Sequence, residues 1–82
     1  MFESGALKEL KEWLKNDRKI ALRIIELCEI ILKNPFRGIG KPEPLRHNRQ
    51  GFWSRRITKE HRLIYKVTKE AIIVIACKYH YD

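Results

Sequence analysis

The stretch FWSRRITKEHRLIYKVTKEAIIVIACKY (residues 52–79) decides the fold of this 82-residue chain. It holds three runs rich in β-branched and aromatic residues, at 52–57, 61–67 and 71–79, and a polar TKE triplet separates each run from the next. Short runs of this composition with polar turns between them are typical of consecutive antiparallel strands. The stretch therefore predicts a three-stranded antiparallel meander, to which residues 45–47 are expected to add a short strand.

Residues 4–33 have helical periodicity instead. Ser4 and Asp17 are residue types that cap helix N-termini. Asn34 is expected to end the second helix, because the following Pro35 disfavours helical geometry in the residue before it. This part of the chain is predicted to be a hairpin of two helices. The apolar positions at helical spacing are Ala6, Leu7, Leu10, Trp13 and Leu14, followed by Ile20, Ile24, Leu27, Cys28 and Ile31.

We expect one α+β domain over residues 1–82, with the helical hairpin at about 4–33, a proline-rich loop at 34–44 and the meander at about 45–81. In this class the helices cover one face of the sheet and leave the other face open. No apolar run approaches the ~20 residues that a membrane span needs. The N-terminal MFES also lacks the charged-then-apolar plan of a signal peptide. A cytoplasmic protein with no membrane partner is therefore predicted.

The cysteines and histidines do not indicate a metal site. Cys28 and Cys77 are expected to be buried free thiols, since a secreted domain of this size would more often carry several disulfides. A zinc site at Cys77 and His80 is disfavoured, because strand alternation points them to opposite faces and no second ligand pair exists. His47 and His61 are interpreted as structural or surface residues. No metal or other cofactor is predicted.

Positive charge is concentrated in the second half of the chain. The formal net charge is +8. Residues 1–34 hold seven Lys/Arg against six Asp/Glu, whereas residues 35–82 hold eleven against four, so the two halves carry +1 and +7. Such asymmetry is expected when one region faces a polyanion. Nucleic acid or an acidic protein is the predicted partner, and a basic surface that only aids solubility is the alternative.

Alternation along the strands places several basic residues on one sheet face. Arg56, Arg62, Lys78 and His80 would share this face, and clustered arginines suit phosphate because guanidinium groups bind it in a bidentate way. Glu43 is the only acid between Glu29 and Glu60 and lies among cations, so it is a candidate base. A surface glutamate in local salt bridges is the alternative interpretation of its spacing.

Four motifs in this order and spacing closely resemble the YoeB-type toxins of the RelE-like superfamily: 40–48 (GKPEPLRHN), 51–57 (GFWSRRI), 60–65 (EHRLIY) and 77–81 (CKYHY). The resemblance implies a ribosome-dependent endoribonuclease that cleaves mRNA in the decoding site. It also implies a cognate acidic antitoxin of the YefM kind, operator DNA bound only through the antitoxin complex, and it admits a homodimer.

The resemblance also implies residue roles. Glu43 would be the general base, Arg62 the phosphate-stabilising arginine, His80 the general acid and Tyr81 an orienting or stacking residue. The products would be a 2′,3′-cyclic phosphate and a 5′-OH end, and an ionised base with a protonated acid would give a bell-shaped pH profile. The basic positions expected to contact RNA or ribosome are Lys41, Arg46, Arg55, Arg56 and Lys78.

The N-terminus departs from this family. Such toxins usually open with a short strand before the first helix, whereas only Met1 and Phe2 precede Glu3 and Ser4 here. The number of strands in the sheet is therefore left open. The alternatives to the ribosome-dependent nuclease are a nuclease that needs no ribosome, a non-catalytic binding module and a purely structural domain.

Overall fold

The computed structural model describes residues 1–46 and 50–79. Two helices, α1 (Ser4–Asn16) and α2 (Arg18–Lys33), lie on one face of an antiparallel sheet with the strand order β1-β2-β3-β4. The α+β architecture and the helical hairpin are as predicted. The strands are β1 (Glu43–Pro44), β2 (Phe52–Arg56), β3 (Arg62–Val67) and β4 (Ile72–Ala76).

The helix starts agree with the sequence in one case out of two. Asp17 caps α2 as predicted, since its Oδ1 accepts a hydrogen bond from the N–H of Ile20 at 3.5 Å. The cap predicted at Ser4 is wrong, because Ser4 is already the first helical residue and Glu3 occupies the cap position without a side-chain bond. The Glu3 carbonyl accepts from the N–H of Leu7 at 2.9 Å and so closes the first turn.

The meander is confirmed, but its two ends differ from the prediction. The additional strand is Glu43–Pro44 rather than 45–47, and His47 lies outside the described residues. β4 ends at Ala76, three residues before Tyr79. The chain leaves the strand there because its next polar groups bond to α1 and to the start of β3.

The N-terminal strand is reduced to a single bridge. Phe2 pairs in parallel with Val74 of β4. The N–H of Val74 donates to Met1 O at 2.7 Å, and the Val74 carbonyl accepts from the N–H of Glu3 at 2.9 Å. The two residues before α1 therefore reach the edge of β4, which settles the strand count that the sequence left open.

The core lies between the helices and one sheet face. Residues from both helices and from β3, β4 and their flanks bury their side chains there, and burial of each large apolar side chain contributes roughly 1.5–3 kcal/mol. Across the described parts of the chain, neither helix is long and apolar enough to cross a membrane. The main core residues are Ala6, Ile24, Leu27, Ile31, Ile57, Leu63, Tyr65, Val74 and Cys77.

Candidate functional site

A row of paired residues crosses the sheet face that points away from the helices. Glu43 pairs with Ser54, Ser54 with Ile64, and Ile64 with Ala76. Directly opposite residues of antiparallel strands share a face. The neighbours of Ile64 along β3, on the other face, are core residues. This row therefore lies on the face away from the helices, which we call the open face, although Ile64 and Ala76 are themselves buried there. The register therefore places the Glu43 carboxylate at one edge of the open face.

Two arginines lie on the same face, two residues along from that row. Arg56 and Arg62 are paired directly across β2 and β3. With strands ~4.8 Å apart and ~3.4 Å per residue, the Cα atoms of Glu43 and Arg62 lie on the order of 12 Å apart. No carboxylate within the described ranges forms an ion pair with either arginine. Arg56 and Arg62 thus share a face as predicted, and Glu43 lies on the same face with Ser54 and Ile64 between it and the start of β3.

One end of the Arg62 guanidinium is already held by the protein. Its Nη1 donates to the carbonyl oxygens of Thr58 at 3.0 Å, Lys59 at 3.2 Å and His61 at 3.3 Å, all in the turn between β2 and β3. Among the described residues, no other nitrogen of this side chain has a partner. The remaining N–H groups are available for an anion.

Arg55 is the main correction to the predicted site. Its side chain is 0% exposed, so it does not contact RNA in this structure. Its Nη2 donates to the carbonyls of Asn34 at 2.7 Å and Arg37 at 2.8 Å, and its Nη1 donates to Ile39 O at 3.1 Å. Its Nε donates to the Tyr65 hydroxyl at 3.2 Å. Arg55 therefore anchors the loop that leads to Glu43.

Tyr65 completes this loop anchor. Its hydroxyl donates to Pro35 O at 2.6 Å. Burial raises the pKa of Tyr65, and the nearby Arg55 only partly offsets this, so the hydroxyl keeps its proton and remains a donor. The loop is also covered by Phe36, whose ring lies 4.9 Å from that of Trp53. We call Arg55 and Tyr65 the loop anchor.

Gly40 brings the loop back against the sheet three residues before Glu43. Its carbonyl accepts from the N–H of Arg56 at 2.6 Å, and its φ is +88°. A Cβ there would lie 3.2 Å from Arg56 O and 3.3 Å from a methyl of Leu27. Glycine is thus required by both conformation and space. The exposed Lys41, with φ +50°, follows and leads to Glu43.

The chain after β4 is held by α1 and by the start of β3. The N–H of Cys77 donates to Glu9 Oε1 at 2.8 Å, and Trp13 Nε1 donates to Cys77 O at 2.9 Å. The N–H of Tyr79 donates to His61 Nδ1 at 2.8 Å. We call residues 77–79 the tail segment and Glu9, Trp13 and His61 its anchors.

Lys78 does not join the arginine pair. Its Nζ lies 5.5 Å from the Trp13 ring centroid and 3.8 Å from Glu12 Oε1, so it leans on α1. The prediction that it shares a face with Arg56 is wrong, because β4 has ended and strand alternation no longer applies. Arg46 is exposed at the end of the first described range. His80 and Tyr81, the predicted acid and its neighbour, lie outside the described residues.

Both cysteines are free thiols, as predicted, but only Cys77 is fully buried, whereas Cys28 is partly buried. Burial raises the pKa of Cys28 to about 11 and that of Cys77 to about 12. Both thiols therefore stay protonated near neutral pH and are poor nucleophiles. Within residues 1–46 and 50–79, no group of three or more His, Cys, Asp or Glu side chains is arranged to hold a metal ion.

Sequence reasoning missed all three anchors of the tail segment. Glu9 and Trp13 are four residues apart and so share one helix face, which is the one signal that could have linked them. Nothing in the sequence indicates that their partner is the backbone of Cys77. His61 was interpreted as structural or surface, and its contact with Tyr79 follows only from the fold.

Comparisons with known proteins identify the family of this chain. Residues 2–81 match the family described as the YoeB-like toxin of bacterial type II toxin–antitoxin systems. Toxin YoeB of Escherichia coli K12 is 54% identical over 69 residues, which cover 84% of this chain and 82% of that protein. Toxin YoeB of Streptomyces coelicolor is 42% identical over 80 residues, covering 98% and 95%.

Solved structures give the same result. The YoeB dimer from Staphylococcus aureus superposes with a TM-score of 0.92 at 44% identity, covering 99% of this chain and 94% of that chain. The YoeB–YefM complex from the same organism has a TM-score of 0.88 at 43% identity, with the same coverage. YafQ in the Escherichia coli DinJ–YafQ complex, at 18% identity and a TM-score of 0.83 over 96% and 89% of the two chains, shares the fold alone.

Proposed function

Because this chain belongs to the YoeB-like toxin family of bacterial type II toxin–antitoxin systems, we propose that it is a ribosome-dependent endoribonuclease that cleaves mRNA in the decoding site. The observation that carries the proposal is the sheet register, which puts Glu43 on the same open face as Arg56 and Arg62. A carboxylate and two guanidinium groups with no ion-pair partner among the described residues lie on one face, and this set suits a phosphodiester with an adjacent hydroxyl group. The cell compartment that follows is the cytoplasm.

Glu43 is the general base of the proposed reaction. RNA supplies its own nucleophile, the 2′-OH, and Glu43 takes the proton of that hydroxyl as its oxygen attacks the phosphorus. A positioned general base typically contributes about 10²–10⁴-fold to the rate. The exposed position of Glu43 on β1, at the end of a loop anchored in the core, leaves its carboxylate accessible to a large substrate.

Arg62 binds the scissile phosphate. Its Nη1 is held by turn carbonyls, so its orientation is set before substrate arrives. The free N–H groups stabilise the charge that develops on the phosphoryl oxygens, as fixed donors do in other sites. Arg56 lies beside it and adds positive charge, and the exposed Lys41 and Arg46 are proposed to contact RNA or the ribosome.

His80 gives its proton to the leaving 5′-oxygen, and Tyr81 orients or stacks on a base. This closes the reaction with a 2′,3′-cyclic phosphate and a 5′-OH end. An ionised Glu43 and a protonated His80 are needed together, so activity should pass through a maximum with pH. DNA lacks the 2′-OH and should resist cleavage.

We further propose an acidic antitoxin of the YefM kind as partner. The net charge of +7 in residues 35–82 provides the complementary surface. A YoeB–YefM complex and a YoeB dimer are known from Staphylococcus aureus, which supports the antitoxin and a homodimer as partners. Operator DNA would be bound only through the antitoxin complex. Association should slow as salt rises, and an association rate that is independent of salt would contradict the proposal.

Primer extension on mRNA, with and without translating ribosomes, tests the catalytic proposal. We expect cuts only with ribosomes, and a loss of at least about tenfold in Glu43→Ala and His80→Ala. Glu70→Ala, an exposed glutamate in the turn after β3, is the matched control and should cleave like the parent. Cuts without ribosomes would indicate a free nuclease. Equal cleavage by all variants would refute the residue roles, and no cuts by the folded parent would favour a binding module.

A further inference from the structure

Two consecutive residues hold both backbone polar groups of Tyr79. His61 Nδ1 accepts from the N–H of Tyr79 at 2.8 Å, and the N–H of Arg62 donates to Tyr79 O at 2.7 Å. Tyr79 directly precedes His80 in the chain. The first contact is made by a side chain rather than by a ladder of backbone bonds, so it depends on the identity of residue 61.

The backbone at Tyr79 is in a conformation that a bulky residue rarely adopts. Its φ is +61°, in the left-handed region. Such conformations persist only where the surroundings enforce them, and they concentrate at functional sites. Tyr79 itself is 58% exposed, so its ring is not buried deeply enough to hold it there. The two hydrogen bonds to the main chain of Tyr79 hold it in this conformation.

His61 is built into its position. It is 8% exposed, its ring meets the Trp13 ring edge-on with 4.8 Å between centroids, and the Tyr79 ring lies 5.5 Å away. Because Nδ1 accepts a hydrogen bond, a neutral imidazole carries its proton on Nε2. That nitrogen lies 3.8 Å from Glu60 Oε1. The packing of the ring and this tautomer together leave Nδ1 as the hydrogen-bond acceptor for the N–H of Tyr79.

We propose that His61 is a positioning residue for the reaction described above. It fixes the backbone at Tyr79 next to Arg62, and Tyr79 is the residue to which His80 is joined. His61 and Arg62 are consecutive residues. Arg62 binds the phosphate, and His61 positions the backbone of the residue that precedes the proposed acid. The inference rests on the proposed nuclease function and adds to it a residue that contacts neither substrate nor the reacting atoms.

Two substitutions at position 61 separate the acceptor from the ring. His61→Phe keeps an aromatic ring against Trp13 but removes the acceptor for the Tyr79 N–H. His61→Asn places a carbonyl oxygen close to the position of Nδ1 and loses part of the ring. For ribosome-dependent cleavage we expect kcat to fall about ten- to a hundredfold in His61→Phe, with KM changed little, because a misplaced catalytic group loses orientation. His61→Asn should recover most of this loss.

A second measurement reports the contact without activity. In the full chain carrying His80→Ala, ¹⁵N chemical shifts should show His61 Nδ1 without a proton. The Tyr79 amide should exchange slowly with solvent, and exchange should quicken in the His61→Phe background. Thermal unfolding of each variant checks that the fold survives.

The outcomes distinguish the positioning role from the proposed function. If the parent cleaves and folded His61→Phe cleaves equally well, the positioning role fails and the nuclease stands. The role also fails if His61→Asn is as slow as His61→Phe, or if Nδ1 carries the proton. If the folded parent cleaves nothing, the nuclease proposal fails and the positioning role falls with it. The positioning role is supported if His61→Phe cleaves slowly, His61→Asn recovers activity and Nδ1 carries no proton.

Discussion

The two sides of the candidate site are held in physically different ways. The loop that leads to Glu43 is fixed by the fully buried Arg55, which donates four hydrogen bonds, and by Tyr65. The tail segment that leads to His80 begins at the buried Cys77, ends at the exposed Tyr79 and is fixed by single bonds to side chains of α1 and to His61. The proposed base Glu43 thus follows a loop held by buried side chains, whereas the proposed acid His80 follows a segment that ends at an exposed residue.

Because of this difference, we expect substitutions on one side to affect mainly stability and substitutions on the other side to affect mainly activity. Regions with few buried contacts open at a lower free energy than the core. Changes in the loop anchor should therefore lower the free energy of unfolding of the whole domain. Changes in the tail anchors should mainly lower the rate of the proposed reaction. The predictions below test this contrast in order of expected size.

Arg55→Met should have the largest effect on stability. It leaves the carbonyls of the loop and the Tyr65 hydroxyl without their donor, and each lost partner of this kind costs about 1–3 kcal/mol. We expect the free energy of unfolding, measured with urea, to fall by about 3 kcal/mol or more. Arg56→Met is the matched control, one residue along and exposed on the other face, and should stay within about 0.5 kcal/mol of the parent. Equal stability of the two variants would show that Arg55 does not stabilise the loop.

Gly40→Ala should destabilise the same loop less strongly. The left-handed φ of +88° and the 3.2 Å approach to Arg56 O both disfavour a side chain, and we expect a loss of about 1–3 kcal/mol. Gly5→Ala is the control, since a Cβ at Gly5 in α1 meets nothing within 4 Å. That change should be neutral or stabilise by up to about 1 kcal/mol. Unfolding curves of the two variants that shift in the same direction would contradict the argument.

Much of the fold and part of the site could be predicted from the sequence. Apolar periodicity and the two TKE turns identified the hairpin and the meander, because each depends on local pattern. Alternation also placed Arg55 and Arg56 on opposite faces, and the structure agrees. The RNA-contact role of Arg55 came from the family resemblance instead. It is wrong because Arg55 is buried beneath the loop after α2 and binds the carbonyls of that loop.

The tail segment was beyond sequence reasoning for a physical reason. A register shift between Ile64 and Tyr65 and the left-handed turn at Tyr79 both break alternation. No glycine or proline stands at either position, so the sequence does not indicate these irregularities. The partners of the tail also lie far away in sequence, as Glu9 and Cys77 do. The bonds from Arg55 to the loop carbonyls could not be predicted either, because every residue has a main-chain carbonyl and the sequence does not mark which ones act as acceptors.

Trp13→Phe should affect activity more than stability. Phenylalanine keeps most of the packing but loses the Nε1–H bond to Cys77 O, which is worth about 1 kcal/mol. We expect a drop in stability of that size and a several-fold drop in ribosome-dependent cleavage, since a tail that is held less firmly loses orientation. Thermal unfolding and primer extension on the same samples measure both. A loss of stability as large as that of Arg55→Met would show that the tail segment belongs to the core.

The smallest effect near neutral pH concerns Cys77, where the tail segment leaves the core. Burial raises the pKa of its thiol from 9.0 to about 12 in the folded state. Below pH 9 both states keep the proton and the thiol has no influence. As pH rises from 9 towards 12 the unfolded state loses the proton first, so the free energy of unfolding falls with pH. Cys77→Ala removes this contribution, and its stability should decline less steeply than that of the parent over this range. Cys28→Ala removes a thiol with a folded pKa of about 11 and should show a difference of the same sign, which falls below that of Cys77→Ala only as pH approaches 11. If urea unfolding from pH 8 to 10 gives parallel curves for parent and Cys77→Ala, Cys77 is open to solvent and the boundary between core and tail lies before it.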